Sequence, residues 1–219
     1  MNEITKNFFL EIGISKGMTV LDVGCGRGIT TELLAEIIGD NGKVIGIDSN
    51  KNSINSASAI AISKKQNNIK YICSDLTNLS IEAYKFDAIV GRRILVYLSD
   101  PKTIIRELSK LLKPEGIMGF QEHDSTGIIN KEKMPLHYKV NNWLWSLVES
   151  NGGNINIGKE LWNIFSHESM RIENIKSEAI IQTPNNNVSI APILQNLVGV
   201  LLAKKIISED DLNNLFDNP

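Results

Sequence analysis

The amino-acid sequence predicts an α/β fold in which a parallel β-sheet carries helices on both faces. Short apolar segments alternate with helical segments up to residue 124, and this alternation is typical of successive βαβ units. The first apolar segment runs directly into a glycine-rich turn, and an acidic residue closes the second. For 219 residues with 42% hydrophobic content, we expect a single domain over residues 1–219, with residues 125–167 as a helical insertion.

The predicted elements begin with a strand, a helix and a second strand. Residues 18–23 are short, apolar and β-branched, as expected of a strand that is buried on both faces. Residues 30–38 form the helix, and Gly39 is placed to end it as a C-cap. A turn at residues 40–42 then leads into the second strand, residues 43–48.

Three more strands follow, separated by helices with start and stop signals. Asn52 or Ser53 is expected to cap the helix before the third strand. Asp100 and Pro101 begin a later helix as its N-cap and first residue, and residues 113–116 break that helix before the fifth strand. The three strands are residues 69–74, 86–90 and 117–121.

Beyond the fifth strand the predicted segments are mainly helical. Pro135 begins a helix that extends to about residue 150, and a shorter helix covers residues 158–165. One strand is expected at about residues 171–182. It is followed by an apolar helix at residues 188–205 and by a capped helix that starts near residue 208.

The turn after the first strand has the residues of a nucleotide-like cofactor site. Glycines there allow positive φ and let a ligand approach the main chain closely. The three glycines are Gly24, Gly26 and Gly28. Asp48 ends the second strand, where its carboxylate can accept hydrogen bonds from two ribose hydroxyls. Ile29 replaces the third glycine of a dinucleotide fingerprint, which argues against NAD, and Asp22 suits a ligand with a cationic end.

These features resemble the class I S-adenosylmethionine-dependent methyltransferases, whose first motif has the form acidic-x-Gly-x-Gly-x-Gly. The resemblance covers roughly residues 8–124 and implies S-adenosyl-L-methionine as the cofactor. In the similar segment at residues 71–76, Asp75 would hold the adenine amino group and the amide of Leu76 would face the ring. The alternative is that Asp75 only caps its own loop.

Further segments narrow the resemblance. Residues 86–92 are similar to the fourth-strand motif of these enzymes, and residues 111–116 to their Leu-Lys-Pro-Gly-Gly segment. Residues 91–101 and 120–124 look most like bacterial small-molecule methyltransferases related to the ubiquinone and menaquinone enzymes. The resemblance therefore implies a Rossmann-like sheet and methyl transfer to an oxygen, nitrogen or carbon atom of a small molecule. The residues that it implies for cofactor binding are Asp22, Gly24, Gly26, Gly28, Asp48, Ser49, Asp75, Leu76, Gly91 and Arg92.

Arg92 follows the fourth strand and offers a guanidinium with several hydrogen-bond donors. It would anchor the carboxylate of the cofactor or of a substrate. The alternative is an ion pair with Asp100 or Glu122. Arg93 has no support from a motif, and we expect it on a solvated face.

Candidate catalytic residues follow the fourth and fifth strands, because ligands of open parallel sheets bind at the carboxyl ends of the strands. They are Tyr97, Glu122 and His123, with Asp124 beside them. A histidine titrates near neutrality and can remove a proton from a weakly acidic acceptor. The alternative is a loop histidine bonded to Asp124 or to water, since alignment alone drives many methyl transfers.

The predicted insertion carries four aromatic residues. They are Trp143, Trp145, Trp162 and Phe165. An insertion at this place commonly builds a substrate-facing wall in this fold, and these side chains would line a pocket for a flat apolar acceptor. The alternative is that they belong to the hydrophobic core.

Composition excludes other classes of function. The formal net charge is −2, so no basic field favours nucleic acid. The two cysteines have neither metal-ligand spacing nor a disulfide pattern, and we expect no metal. No secretory signal is visible, and the longest apolar stretch, residues 188–203, is interrupted and too short to span a bilayer. We therefore expect a cytoplasmic protein without a membrane partner.

The chain is expected to be shorter than its relatives at both ends. Only a brief lead-in precedes the first motif, and no seventh strand is evident where the family's sheet ends in a hairpin of sixth and seventh strands. An exposed sheet edge and an open cofactor cleft would follow. We expect either a homodimer that covers one of them or a weakly stable monomer.

Three functions are compatible with these residues. The leading hypothesis is methylation of a small molecule. The second is a protein that binds S-adenosylmethionine but has lost transfer, or that uses the cofactor in a reaction other than methylation. The third is a protein or RNA methyltransferase, against which the acidic charge balance argues. Residues 91–94 also lack the Asn-Pro-Pro-Tyr-like tetrapeptide of enzymes that act on amide or base amino groups.

Overall fold

The computed structural model describes residues 2–77, 79, 84–124, 131–166, 170–179 and 190–217. The chain divides into two compact units. We call residues 1–95 and 100–122 the sheet unit, and residues 96–99 and 123–219 the helical unit. Of the three predicted catalytic residues, Glu122 belongs to the sheet unit, and Tyr97 and His123 belong to the helical unit.

Among the described residues, the sheet unit contains five parallel strands. The strands are β1 (Thr19–Val23), β2 (Lys43–Asp48), β3 (Ile69–Cys73), β4 (Phe86–Arg92) and β5 (Leu112–Gln121). The helices of the unit are α1 (Asn2–Glu11), α2 (Ile29–Ile38), α3 (Lys51–Ser63) and α4 (Pro101–Ser109). A short 3₁₀ helix at Leu95–Tyr97 follows β4. The strand order is β3-β2-β1-β4-β5, which confirms the predicted parallel α/β sheet.

The direction of winding reverses at β1. From β1 the chain proceeds outward to β2 and β3, and then returns to place β4 and β5 on the other side of β1. Because parallel crossovers are right-handed, the two directions of winding place helices on both faces of the sheet. The carboxyl ends of β1 and β4 therefore form a topological switch point, where ligands of such sheets bind.

The strand β1 is buried on both faces, as its apolar, β-branched sequence predicts. Val20, Leu21 and Val23 have no exposed surface. Leu34 and Ile38 of α2 pack in the same hydrophobic cluster as Val20. Complete burial of one such side chain contributes about 1.5–3 kcal/mol to folding. This packing holds α2 against β1.

The helix α1 lies in the segment before the first motif, for which we predicted no secondary-structure element. Phe9 of α1 is completely buried and joins the cluster that contains Val20 and Leu34. Phe8 and Ile12 pack against the edge of the same cluster. A ten-residue helix is marginal by itself, so its formation depends on these tertiary contacts, which local sequence pattern does not contain.

Two other boundaries differ from the predictions. The N-cap of α3 is Asn50 instead of Asn52 or Ser53, and its Oδ1 accepts hydrogen bonds from the amides of both of those residues at 3.0 and 3.1 Å. The strand β5 begins at Leu112, ahead of the predicted start at residue 117. Residues 113–116, which we predicted to end the preceding helix, belong to this strand. The register of its pairing with β4 shifts in that segment, where Glu115 has a left-handed φ of 60°.

The helical unit contains four helices among the residues that the structure describes. They are α5 (Pro135–Ser150), α6 (Ile157–Phe165), α7 (Ala191–Ala203) and α8 (Glu209–Asp217). Val140, Trp143 and Leu147 of α5 pack against Leu194 and Leu201 of α7. None of the described helices is long and apolar enough to span a bilayer.

The strand predicted at about residues 171–182 is wrong over its described part. Residues 171–179 form neither strand nor helix, and residues 180–182 lie outside the described part of the chain. Every residue from 173 to 179 is exposed. Without a buried face, the alternation of apolar and polar residues in this segment has nothing to pack against, so it does not specify a strand.

Candidate functional site

The glycine turn lies at the switch point, between β1 and α2. Gly24, Gly26 and Gly28 have φ values of 69°, 54° and 87°. These values fall in the left-handed region that residues with a Cβ rarely adopt. The amides of Gly24 and Cys25 both donate to the carbonyl of Ile47, at 2.8 and 2.9 Å, so the turn is fastened to the end of β2.

The three glycines differ in which atoms lie beside their Cα atoms. A Cβ at Gly24 would lie 2.5 Å from Cδ1 of Ile94, and a Cβ at Gly28 would lie 2.2 Å from the hydroxyl oxygen of Tyr71. Both positions are therefore closed by packing inside the sheet unit. A Cβ at Gly26 would meet no atom within 4 Å. Of the three, Gly26 alone has open space beside its Cα, where a ligand can approach the main chain.

Asp48 connects the end of β2 to the glycine turn. Its Oδ2 accepts a hydrogen bond from the amide of Gly26 at 2.9 Å, and its Oδ1 accepts one from the amide of Asn50 at 2.8 Å. A carboxylate oxygen can accept a second hydrogen bond, so both oxygens keep capacity for ligand hydroxyls. Ser49, the next residue, is exposed. The two amides thus hold the carboxylate in one orientation beside the open space at Gly26.

Asp22 is almost completely buried beneath the turn, with 1% of its surface exposed. Thr31 donates a hydrogen bond from Oγ1 to its Oδ2 at 2.6 Å. The pKa of Asp22 is raised to about 7, mainly because burial disfavours the charged form and in part because of the nearby charge of Asp48, while the Thr31 hydrogen bond and the attraction of Arg92 oppose the rise. Near neutral pH, this carboxyl group is therefore poised between its two protonation states.

Gly91 and Arg92 end the strand β4 next to the turn. A Cβ at Gly91 would lie 2.4 Å from Cε1 of Phe120, so the glycine at this position is required by packing. Arg92 is half-buried, and burial lowers the pKa of its guanidinium while the attraction of Asp22 opposes the shift. Among the described residues, Arg92 makes no ion pair within 4 Å, so the pairing with Asp100 or Glu122 that sequence left open does not form.

Asp75 follows β3 and is exposed. Its Oδ1 accepts hydrogen bonds from both the amide and the hydroxyl of Thr77, at 2.8 and 2.7 Å. These two bonds hold the pKa of Asp75 below its usual value. The structure thus contains the loop cap that we named as the alternative role of Asp75, beside a half-buried Leu76. Contact with an adenine remains a prediction for both residues.

The predicted catalytic residues occupy different surroundings. Oε1 of Glu122 accepts hydrogen bonds from the amides of Ile94 and Leu95 at 2.9 Å each, which anchors the start of the 3₁₀ helix. Tyr97 is 58% exposed. The ring of His123 contacts the ring of Trp145 edge to face, with 6.3 Å between the centroids. Glu122 therefore has a structural task, whereas His123 is placed against one of the predicted pocket aromatics.

The four predicted pocket aromatics do not form one cluster. Trp143 is buried in the core of the helical unit, and Nζ of Lys139 lies 5.0 Å from its ring centroid. Trp162 is 60% exposed, and Phe165 is half-buried. The core alternative thus applies to Trp143. Trp145 contacts the ring of His123, which is one of the candidate catalytic residues.

A small cavity beside the glycine turn contains residues that the sequence interpretation missed. Its volume is about 160 Å³, and its lining consists of Gly24, Cys25, Arg27, Ile29, Thr30, Arg92 and Arg93. Arg27 lies within the glycine motif itself, and this position could have been found from the sequence. Arg93, which we expected on a solvated face, is half-buried and also lines the cavity. Its backbone has a left-handed φ of 55°, and its amide donates a hydrogen bond to the carbonyl of Gln121.

Comparison with known proteins gives a family match over most of the chain. A family model described as a methyltransferase domain matches residues 14–189. Two curated relatives share part of the sequence. A ubiquinone biosynthesis O-methyltransferase from Coxiella burnetii is 37% identical over 106 residues, which cover 48% of this chain and 43% of that protein. A demethylmenaquinone methyltransferase from Lactococcus lactis is 30% identical over 130 residues, which cover 59% of this chain and 52% of that protein.

The chain spans about half the length of these curated relatives. Among solved structures, the 4+2 cyclase SpnF matches with a TM-score of 0.51 at 26% sequence identity. The match covers 57% of this chain and 47% of that chain. A similar fold over that part of the chain is therefore found in a protein that is named for a reaction other than methyl transfer.

Proposed function

Because this chain belongs to the methyltransferase domain family, we propose that it transfers the methyl group of S-adenosyl-L-methionine to a small molecule. Family membership agrees with the class I S-adenosylmethionine-dependent methyltransferase motifs in the sequence. The observation that carries the proposal is the carboxylate of Asp48, which is held by the amides of Gly26 and Asn50 at the switch point of the sheet. This arrangement presents a fixed acceptor beside open space, as a ribose requires.

The residues at the switch point fit this cofactor. Both oxygens of Asp48 keep acceptor capacity for the two ribose hydroxyls, and no atom lies within 4 Å of the position of a Cβ at Gly26, where the ligand would approach the main chain. Arg92 has the charge that the carboxylate of the cofactor's amino-acid end needs, and Asp22, which can ionise near neutral pH because its pKa is about 7, would balance the ammonium. When bound, S-adenosyl-L-methionine supplies a methyl group that is already activated for displacement. We assign Asp75 and the amide of Leu76 to the adenine.

The chain itself must align the acceptor and, where needed, remove its proton. His123 is the residue we assign to proton removal, since a neutral imidazole accepts a proton near physiological pH. The edge-to-face contact of its ring with Trp145 limits the orientations of the imidazole. Alignment of the two reactants supplies most of the acceleration in such a displacement. Loss of His123 should therefore slow transfer to a hydroxyl more than transfer to an already ionised acceptor.

A small-molecule acceptor is supported by two independent observations. The curated relatives are named for ubiquinone and demethylmenaquinone, which are small molecules. The chain also has a net charge of −2, which gives no general attraction for nucleic acid. We propose an acceptor of the quinone-precursor type, in which an aromatic ring carries the hydroxyl or carbon to be methylated.

The experiment is to measure release of S-adenosylhomocysteine with a panel of catechols, hydroquinones and hydroxybenzoates. We expect cofactor turnover that depends on one class of acceptor and is lost in Asp48→Ala. Turnover with none of these acceptors, by a protein that binds the cofactor, would refute the proposed acceptor class. Macromolecular substrates from a cell extract serve as a parallel arm, because their methylation would favour a protein or RNA methyltransferase.

A second candidate function is a reaction of a bound small molecule in which no methyl group moves. The likeness to the cyclase SpnF supports it, since that protein has a similar fold over 57% of this chain. In this case the cofactor would serve as a structural component of the site. The two functions differ in one measurable result. A cyclase-like protein converts its substrate while the amount of S-adenosylmethionine stays constant.

A further inference from the structure

The side chain of Ile94 lies against the ends of two neighbouring strands at the switch point. A Cβ at Gly24, which follows β1, would lie 2.5 Å from Cδ1 and 2.6 Å from Cγ1 of Ile94. A Cβ at Gly91, near the end of β4, would lie 2.8 Å from Cγ2 of the same side chain. Gly91 pairs with Val23 across the two strands, so the two glycines are close together. Ile94 therefore packs directly on the main chain at both strand ends.

This packing supports the glycine turn from the side of β4. From the side of β2, the turn is fastened by hydrogen bonds to the carbonyl of Ile47 and the carboxylate of Asp48. Gly24 begins the turn, and Gly26 follows it with the open space beside its Cα. Close packing passes the displacement of one side chain on to its neighbours. The shape of the proposed cofactor site therefore depends on where Ile94 lies.

The carboxylate of Glu122 fixes the main chain of Ile94. Its Oε1 accepts hydrogen bonds from the amides of Ile94 and Leu95 at 2.9 Å each. The preceding amide, that of Arg93, donates to the carbonyl of Gln121 at 2.9 Å. Three successive amides after β4 are thus held by the last residue of β5 and the residue that follows it. All of these residues belong to the sheet unit.

We propose that Glu122 is a positioning residue for the cofactor site and that it acts through Ile94. This inference rests on the proposed function and adds a residue to the same site. Its two amide hydrogen bonds hold Ile94 on Gly24 and Gly91, and this packing keeps the turn in place beside Asp48. Glu122 needs no contact with the cofactor in this role. A proton acceptor, by contrast, would affect transfer to the acceptor and leave the binding of S-adenosylhomocysteine unchanged.

The test measures the affinity of the full chain for S-adenosylhomocysteine by calorimetry. We expect Glu122→Ala to weaken binding by about tenfold, because both amides lose their acceptor and Ile94 is no longer held. Glu122→Gln keeps a side-chain oxygen for the two amides and should bind within about threefold of wild type. Unchanged affinity in a folded Glu122→Ala protein would overturn the inference. A loss of the same size in Glu122→Gln would contradict it as well.

Asp87→Ala is the matched control for a loss of stability. Asp87 accepts a hydrogen bond from the amide of Thr19 at 2.8 Å and pairs with Lys113, at the amino ends of β1 and β4. The variant therefore removes a carboxylate that binds a main-chain amide at the opposite end of the same strands. We expect a lower Tm with unchanged affinity for S-adenosylhomocysteine. Equal weakening in Asp87→Ala and Glu122→Ala would mean that general destabilisation explains the loss.

A double-mutant cycle shows whether Glu122 acts through Ile94. Ile94→Ala keeps both main-chain hydrogen bonds but removes the Cγ and Cδ atoms that contact the glycines, so it should weaken binding by about tenfold. In that background, Glu122→Ala should add less than about twofold. Full additivity of the two losses would overturn the inference. If Glu122→Ala fails to fold, Ile94→Ala decides, because unchanged affinity there would also overturn it.

The same titrations separate the two proposals. If S-adenosylhomocysteine does not bind the folded wild-type protein, the proposed function fails and the inference fails with it. If it binds the wild type and binds folded Glu122→Ala equally well, the inference alone fails.

Discussion

The carboxylate of Asp48 can hold the glycine turn and bind the proposed ribose at the same time. Its two oxygens accept backbone amides from Gly26 and Asn50, which fixes the glycine turn to the end of β2. The remaining acceptor capacity faces the proposed ribose. A hydrogen bond to a charged group contributes about 1.5–3 kcal/mol, so a preoriented carboxylate has a measurable effect on affinity.

Replacement of Asp48 by alanine should therefore weaken cofactor binding. We expect the affinity of Asp48→Ala for S-adenosyl-L-methionine to fall by at least about tenfold, because the ribose hydroxyls lose a charged acceptor. Isothermal titration calorimetry measures the change, and circular dichroism establishes that the variant is folded. Asp40→Ala removes an exposed carboxylate from the turn before β2 and serves as the control. Unchanged binding in a folded Asp48→Ala protein would refute the ribose assignment.

Asp22 makes stability depend on pH in an unusual direction. Burial raises its pKa in the folded protein to about 7, from an ordinary value of 3.8 for an aspartate in water. Between these two values the folded state binds more protons than the unfolded state, so stability falls as pH rises. The stabilisation is complete below pH 3.8 and is lost as the pH passes about 7.

We predict that the free energy of unfolding decreases by about 3 kcal/mol between pH 5 and pH 8 because of Asp22. The variant Asp22→Asn cannot ionise, and it keeps an acceptor for the hydroxyl of Thr31. The difference between wild type and Asp22→Asn in urea unfolding at the two pH values isolates the contribution. A pH dependence that is the same in both proteins would show that the carboxyl group is ionised throughout.

At the residue scale, the sequence predicts which residues can bind a ligand better than it predicts how buried each side chain is and what it contacts. Gly26 and Asp48 are recognisable because a strand, a glycine turn and a second strand leave few alternatives for their position. The burial of Trp143 and the exposure of Trp162 are set by contacts between helices that are distant in sequence. Arg93 has a left-handed backbone conformation, and its amide donates a hydrogen bond to the carbonyl of Gln121. No local sequence motif predicts this conformation.

At the scale of elements, the glycine turn contains one glycine that packing requires and another that has open space for a ligand. Gly28 lies against Tyr71, whereas Gly26 faces open space. The two positions have similar backbone constraints and different neighbours. Substitution by alanine should therefore affect stability at one position and cofactor affinity at the other.

We predict that Gly28→Ala destabilises the protein by more than about 2 kcal/mol, because its Cβ would lie 2.2 Å from the tyrosine hydroxyl. Gly26→Ala should cost only about 1 kcal/mol in backbone strain but weaken cofactor binding by about tenfold or more. Gly17→Ala has a comparable positive φ and open surroundings away from the turn, and it is the control for strain. Thermal unfolding and calorimetry distinguish the three variants. Normal cofactor binding by Gly26→Ala would place the cofactor elsewhere.

Elements with strong local signals were predictable, and elements held by distant contacts were not. The start of α4 is confirmed, because Asp100 caps the amide of Thr103 at 3.1 Å and Pro101 occupies the first turn. The start of α5 at Pro135 is also confirmed, although there only the proline in the first turn marks it, since the N-cap Met134 makes no side-chain hydrogen bond. The helix α1 was missed since its stability comes from the burial of Phe9 in the sheet unit. The strand expected at 171–182 is wrong over its described part, because residues 173–179 are exposed and have no buried face to specify a strand.

At the scale of the whole molecule, ligand binding and folding should be coupled. The proposed cofactor contacts residues from the turn, β2 and β4, which come together only in the folded sheet unit. A ligand that binds only the folded state stabilises it by about 2.7 kcal/mol at a hundred times its Kd. The expected homodimer or weakly stable monomer is tested by the same measurement.

We predict that the Tm rises by roughly 5–10 °C at that concentration of S-adenosyl-L-methionine, and by less in Asp48→Ala. Differential scanning fluorimetry measures the shift. Light scattering on the same samples gives the oligomeric state, and a homodimer would agree with coverage of the exposed sheet edge that the sequence predicted. A stable monomer without any shift at saturating cofactor would contradict the binding site and the expected assembly together.

The central claim is that the protein moves a methyl group from S-adenosyl-L-methionine to a small molecule. The most direct measurement is incubation of the protein with an extract of its own cells and S-adenosyl-L-methionine labelled in the methyl group, followed by separation of the products by mass. We predict label in a low-molecular-mass aromatic compound, with none formed by Asp48→Ala. Label only in protein or RNA would contradict the small-molecule acceptor, and no transfer of label by a cofactor-bound protein would contradict methyl transfer itself.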